Sequence, residues 1–358
     1  MFSGPAERDE LASWTTAAFG PELTELALPM SALPWPGRLI RPGTANMGEQ
    51  AVFVRTTPAS ADGADEAFYV HGLAGASANW TSLAGLLAPL STGYAADLPG
   101  AGRSDPPGNG DYSVSEQVRV LAAVIREVAH GPVHLVGNSL GGFLSTMLAA
   151  AHPELFRSLT LISPAVPDLR ITKDRGADFR MAALLAPGVG GLIEPRLGGV
   201  SATDRVDGMI SLCFGDPSIV TDDDKSAASR EIEWRRQLPW TQWAVLQSLR
   251  GLMKSYLAPT HRSYWTAAGK VQVPTLVVWG TRDRLVDVRL AQRTAAAFAN
   301  SRLLVLAGVG HVAQMEAPAP TARAIAALWA DAAAGVEKHD VSGAASGMPA
   351  DAVATFRA

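Results

Sequence analysis

The stretch Val133-His134-Leu135-Val136-Gly137-Asn138-Ser139-Leu140-Gly141-Gly142 decides how the rest of the chain is read. It begins as a short apolar run of strand character, turns sharply through Gly-Asn-Ser-Leu-Gly, and opens a helix from Phe143 to Ala151. A serine at such a turn is pushed out of the strand top, and the first N–H groups of the new helix point toward its hydroxyl. Gly137 and Gly141 suit the crowding of the turn, where a Cβ would clash. Taken alone, the five-residue pattern is also compatible with a glycine-rich strand–helix loop that does no chemistry. The flanks have to decide.

Strand-like runs recur on both sides: Ala51–Thr56, Glu66–Val70 and Gly93–Asp97 before it, Ser158–Ser163, Thr275–Trp279 and Arg302–Leu306 after it. Helical patterns separate them, near Ser77–Leu90, Val114–His130, Val288–Ala299 and Thr321–Ala334. This alternation predicts an α/β chain with a mainly parallel sheet covered on both faces. It breaks between Pro164 and Trp265, where no strand is legible and large apolar residues (Phe179, Met181, Leu184, Met209, Phe214) accompany helix-like pieces. The expected organisation is an N-terminal extension over 1–39, a core over 40–165 and 266–335, an inserted helical cap over 166–265, and a weakly patterned Gly/Ala/Ser-rich tail over 336–358 expected to be disordered. The extension is expected to hold a short helix around Asp9–Phe19. Its prolines around Trp35 suggest either an extended strip on the body or a mobile arm.

Composition narrows the function. With 358 residues the chain can bury a large core, and a formal net charge of −4 gives no electrostatic case for nucleic acid. The single cysteine, Cys213, excludes an intrachain disulfide, and its apolar neighbours read as a buried small hydrophobe. The first sixteen residues are charged and lack the apolar core of a secretory signal, and no uncharged apolar run is long enough for a bilayer. A cytoplasmic location is expected. Spacings for a metal site are absent, and Gly72-Leu73-Ala74-Gly75 lacks the Gly-Lys-Ser/Thr of a phosphate loop.

Three more loops follow strands, at the edge where open parallel sheets place their sites: His71-Gly72-Leu73-Ala74-Gly75, Gly280-Thr281-Arg282-Asp283 and Gly308-Val309-Gly310-His311. They supply what an activated serine needs. A hydroxyl is a poor nucleophile at neutral pH, and an imidazole in reach can take its proton and later return it to the leaving group. A carboxylate behind the imidazole fixes its tautomer and stabilises the imidazolium. The expected roles are Ser139 as nucleophile, His311 as base and Asp283 as acid, with the backbone N–H groups of Leu73 and Leu140 as oxyanion donors. Asp168, just past a strand, and Glu316 are rivals for the acid.

These residues, together with Asp97-Leu98-Pro99-Gly100-Ala101-Gly102-Arg103-Ser104-Asp105, resemble the α/β-hydrolase fold superfamily over about residues 50–335. The resemblance implies a mainly parallel, eight-stranded-type sheet, a covalent acyl-enzyme or related route, and no cofactor. A serine nucleophile argues against the relatives that attack with aspartate. Hydrolysis of a carboxylic ester of an apolar small molecule is the first expectation, with His71, Gly72, Trp234, Trp240, Trp243 and Val312 as candidate pocket residues. The second is carbon–carbon hydrolysis of a ring-cleavage diketone. The Gly-Asn-Ser-Leu-Gly-Gly elbow is similar to that of the enzymes that do this, but they usually carry Trp where this chain has Val312. They also use a cap arginine, for which Arg235 and Arg236 are the candidates. A non-catalytic small-ligand receptor on the same fold is the third.

Overall fold

The computed structural model describes residues 34–43, 50–168 and 200–334. Eight strands form one sheet: β1 (Gly37–Ile40), β2 (Val52–Thr57), β3 (Asp65–Val70), β4 (Ser91–Ala96), β5 (Val133–Asn138), β6 (Phe156–Ile162), β7 (Thr275–Gly280) and β8 (Ser301–Leu306). Their spatial order is β1-β2-β4-β3-β5-β6-β7-β8. β1 pairs with β2, and β2 with β4, antiparallel; the remaining pairings are parallel. The helices are α1 (Thr81–Leu87), α2 (Val114–Val128), α3 (Leu140–Ala151), α4 (Ala202–Cys213), α5 (Asp222–Arg236), α6 (Thr241–Tyr256), α7 (Tyr264–Ala268), α8 (Ala291–Ala295), α9 (Ala313–Glu316) and α10 (Pro318–Ala334).

Every residue of β5 and β7 is buried, which is why both read as unbroken apolar runs with no alternation. Successive residues still serve opposite faces. Leu135 joins a core with Phe68, Leu121, Phe143 and Leu144, whereas its neighbour Val136 joins Trp80, Leu83, Ile325 and Leu328 on the other side. The covering helices are locally encoded. Ser113 accepts from the Glu116 N–H at 3.2 Å to start α2, and Pro318 opens α10 where a missing N–H costs nothing.

β1 is the strand that sequence reading missed. It lies within and just beyond the expected extension, it is an edge strand, and only Ile40 is buried, so no apolar alternation marks it. Trp35 anchors its entry: the indole N–H donates to Thr81 O at 3.0 Å, and Arg55 donates to Trp35 O at 2.7 Å. The helices expected near Ser77–Leu90 and Val288–Ala299 are shorter, each a single 3₁₀ turn leading into α1 or α8. The Asp9–Phe19 helix, the tail over 336–358 and the first part of the cap, with Phe179, Met181 and Leu184, fall outside the described residues.

Between β6 and β7 the described residues hold helices and no strand. Ser201 caps α4, and Thr221 with Asp224 forms a capping box on α5. α5 carries Asp222, Asp223 and Asp224 in its first turn and Arg235 and Arg236 in its last, the arrangement that suits its dipole, yet it buries no residue completely. The small apolar core of this insertion is Val206, Ile210 and Phe214 packed on Val312, with Ile232 and Met315 beside it. Val312 and Met315 belong to the loop and short helix that follow β8. The insertion is therefore built directly onto the segment that carries His311.

Candidate active site

Ser139 ends β5 with φ 54° and ψ −118°, a left-handed conformation for a residue with a Cβ. The strain, on the order of 1–3 kcal/mol, persists because the surroundings over-determine the turn. Ser139 N–H donates to Ile162 O at 3.0 Å, and Ser139 O accepts from Phe143 N–H and Ala165 N–H, both at 3.0 Å. The glycines are required by contact. A Cβ on Gly141 would lie 2.1 Å from Val70 O, and one on Gly137 2.4 Å from Ser145 Oγ. Among the described residues the other non-glycine positive-φ positions are Ala74 (60°) and Ser163 (43°), in the turns after β3 and β6. All three strained residues line one edge of the sheet. Ser139 is half-buried, while Gly137, Asn138 and Leu140 around it are buried.

His311 follows β8 and is 3% exposed. Its Nδ1 lies 2.9 Å from Asp283 Oδ2. Asp283 has no free choice of orientation, because its Oδ1 accepts from Leu285 N–H and Val286 N–H, both at 2.9 Å. A carboxylate on Nδ1 leaves Nε2 of the neutral ring as the lone pair available to a proton donor. Asn138 ties the serine turn to this loop. Its Nδ2 donates to Ile162 O at 3.0 Å and to His311 O at 3.1 Å. The residue before the serine is thus a bracket between the two loops. The sequence marked it only as a feature of the elbow pattern.

The loop after β3 sits against Ser139 as well, since a Cβ on Gly72 would come within 3.0 Å of the serine Cβ. His71 shapes this loop. Leu98 N–H donates to its Nε2 at 2.9 Å, so the proton resides on Nδ1, which donates to Gly72 O at 2.7 Å. Burial pushes its pKa down, against the attraction of Asp97. A neutral ring with both nitrogens engaged is a strut, and has no capacity to act as a base. Leu73 comes next, half-buried, and Leu140 opens α3, so its N–H is among those that have no partner within the helix.

The other expected residues have surroundings of their own. Val312 is committed to the insertion's core. Trp234 carries the Arg103 guanidinium 4.5 Å above its ring, and Trp243 is 53% exposed. Trp240 keeps its indole nitrogen buried without a hydrogen-bond partner. Asp168 is half-buried near the exit of β6, and the carboxylate on His311 is that of Asp283. Glu316 does not approach as an acid; its oxygens accept from Gly310, Gly215 and Asp216 N–H at 2.7, 3.0 and 2.9 Å. Cys213 is nearby, its thiol pushed up to about 12 by burial and by Asp283, so it remains protonated and unreactive. Among the described residues no group of three His, Cys, Asp or Glu could hold a metal ion, and no helix is long and apolar enough to cross a membrane.

Residues 68–318 match the model of the alpha/beta hydrolase fold. The chain belongs to that family. This α/β-hydrolase is 28% identical over 264 residues to a 2-hydroxy-6-oxononadienedioate/2-hydroxy-6-oxononatrienedioate hydrolase of Cupriavidus pinatubonensis, covering 71% of this chain and 83% of that one. It is 26% identical over 270 residues to monoacylglycerol lipase abhd6-A of Xenopus laevis, covering 71% and 72%. The structure of 2-hydroxy-6-oxo-6-phenylhexa-2,4-dienoate hydrolase from Rhodococcus sp. strain RHA1 superimposes with a TM-score of 0.61 at 20% identity, over 79% of this α/β-hydrolase and 95% of that protein. Hydrolysis is what the fold and these relatives have in common.

Proposed function

We propose that this α/β-hydrolase cleaves a carboxylic ester of an apolar small molecule through an acyl-enzyme on Ser139. The observation that carries the reading is the 2.9 Å pairing of His311 Nδ1 with Asp283, bracketed to the strained serine turn through Asn138. In the forward step Ser139 Oγ bonds to the ester carbonyl carbon while its proton passes to His311 Nε2. The oxyanion of the tetrahedral intermediate is held by the N–H groups of Leu73 and Leu140. Collapse breaks the bond to the alcohol oxygen, which takes the proton from His311. Water, deprotonated by the same imidazole, then attacks the acyl group and frees Ser139. The helical insertion serves as a cap, with Trp234, Trp240 and Trp243 as the candidates for its underside. No cofactor is called for.

Carbon–carbon hydrolysis of a ring-cleavage diketone is the second reading, supported by the Cupriavidus relative and by the Asn-Ser-Leu-Gly-Gly elbow. Two observations weigh against it. Val312 is packed into the insertion's core, and Arg235, one of the two candidate carboxylate holders beside Arg236, is spent on Glu231 at 3.1 Å and on Ala74 O and Gly75 O at 3.3 and 3.4 Å. Purified protein given p-nitrophenyl esters of graded chain length and a model ring-cleavage diketone separates the readings. Ester turnover that vanishes in Ser139→Ala supports the first. Turnover of the diketone alone supports the second. Ligand-induced stabilisation with no turnover would mean a receptor.

A further inference from the structure

Glu316 is five residues past His311, and its carboxylate collects three backbone N–H groups from two parts of the chain. Gly310 N–H, at 2.7 Å, belongs to the residue immediately before His311. Gly215 and Asp216 N–H, at 3.0 and 2.9 Å, belong to the turn that leaves α4 in the insertion. The two segments are in backbone contact: a Cβ on Gly310 would lie 2.3 Å from Cys213 O, and one on Gly215 2.1 Å from Gly308 O. His311 N–H itself donates to Cys213 O at 2.7 Å. Arg282, next to Asp283, reaches Gly215 O at 3.4 Å. The backbone that carries the imidazole therefore rests on the insertion, and one carboxylate holds that backbone and the insertion's turn together.

A carboxylate offers about four lone-pair sites and donates nothing, so it can gather three N–H donors at once. Such bonds to a carboxylate are roughly twice as strong as those between neutral groups. The other contacts across the joint, from His311 N–H to Cys213 O and from Arg282 to Gly215 O, do not reach the Gly215, Asp216 and Gly310 N–H groups that Glu316 gathers. We propose that Glu316 is a positioning residue for His311: it fixes the imidazole's mount against the insertion and so sets the alignment of Nε2 with the Ser139 hydroxyl. This rests on the acyl-enzyme reading, since it assigns Glu316 its effect through the base.

The test is Glu316→Gln, which keeps the shape but turns an NH₂ group toward donors. Activity is read as kcat per active site titrated with a fluorophosphonate, alongside KM, the rate constant of fluorophosphonate labelling, and the thermal midpoint. The expected result is a kcat about 10–100-fold lower, the range of losses seen when groups that orient a reacting residue are removed. KM changes less than about threefold, labelling slows in step with kcat, and Glu316→Ala is slower still. Restoring the carboxylate one methylene short, as Glu316→Asp, recovers part of the rate. A lower thermal midpoint with kcat per titrated site and labelling rate unchanged would overturn the proposal, leaving Glu316 as a structural tie. So would recovery of Glu316→Gln only as unfolded protein. The parent reading fails by a different result: wild-type protein that neither turns over esters nor is labelled at Ser139. Labelling of the wild type that Glu316→Gln matches in rate overturns the positioning role alone.

Discussion

Two serine–histidine–aspartate sets lie at opposite edges of the same sheet. At the edge where strands end, Asp283 faces His311, and Ser139 stands in the adjoining turn. At the edge where they begin, Ser158 Oγ is 2.8 Å from His134 Nδ1, and His134 Nε2 is 3.4 Å from Asp65 Oδ2. The residue types are the same, and in both sets the ring can hold one proton toward its carboxylate. What differs is the mounting. Ser158 lies inside β6 and is 1% exposed, whereas Ser139 immediately precedes α3, whose first N–H groups have no partner within the helix. His134 is capped by Trp329, stacked at 4.4 Å, and Asp65 is already paired with Arg157 at 2.5 Å. Access, a turn that presents the hydroxyl, and donors for an oxyanion make a site out of three residue types. In their absence the same three form a buried polar knot that holds β5 to β6.

The comparison breaks most visibly at the two serines. Ser139→Ala is expected to lower kcat by about 10⁵-fold or more, as for loss of a nucleophile in a cooperating set. Ser158→Ala should leave kcat within about twofold. Steady-state turnover of the best ester found measures both. Loss of activity in Ser158→Ala with the fold intact would show that the lower set is coupled to the reaction. The aspartates come next. Asp283→Asn should cost about 10³–10⁴ in kcat, because the amide can hold the wrong tautomer of His311, whereas Asp65→Asn should not alter kcat. Asp168→Asn is also expected to leave kcat unchanged, since Asp283 already occupies His311 Nδ1.

How far each set could be read from sequence follows from the same contrast. Ser139, Asp283 and His311 were legible as candidates because each sits in a glycine-marked loop after an apolar run, and the glycines are forced by contacts as close as Gly141 to Val70 O. The parallel core was legible from unbroken runs such as Thr275–Gly280. The lower set was not, because His134 and Ser158 stand inside strands with nothing local to mark a pairing 24 residues apart. β1 was missed since an edge strand with one buried residue carries no periodicity. Glu316 was noted only as a spare acid. Its position after His311 was visible, but its donors include the Gly215–Asp216 turn, and only the folded chain brings that turn to it.

The smallest expected effect concerns stability. Burial holds the His134 pKa at about 4, against the opposing pull of Asp65 and with help from Arg157. The ordinary value near 6.5 applies in the unfolded chain. Between these values the unfolded state binds the extra proton, so stability is full above about pH 6.5 and falls as the pH drops toward 4. The loss from this one group is about 3 kcal/mol across that window. His71, also depressed, adds in the same direction and is untouched by changes at the lower edge. His134→Phe keeps a ring for Trp329 to stack on but cannot be protonated. It leaves the Ser158 hydroxyl without its partner, at a cost of about 1–3 kcal/mol that is the same at every pH. Urea unfolding at pH 7.0 and pH 4.5 should therefore show a variant that is weaker than wild type at the higher pH and closes most of that gap at the lower one. An unchanged pH slope in His134→Phe would mean that the ring takes up its proton as readily in the folded protein as in the unfolded chain, and the contrast between the candidate site and the buried knot would then have to rest on access alone.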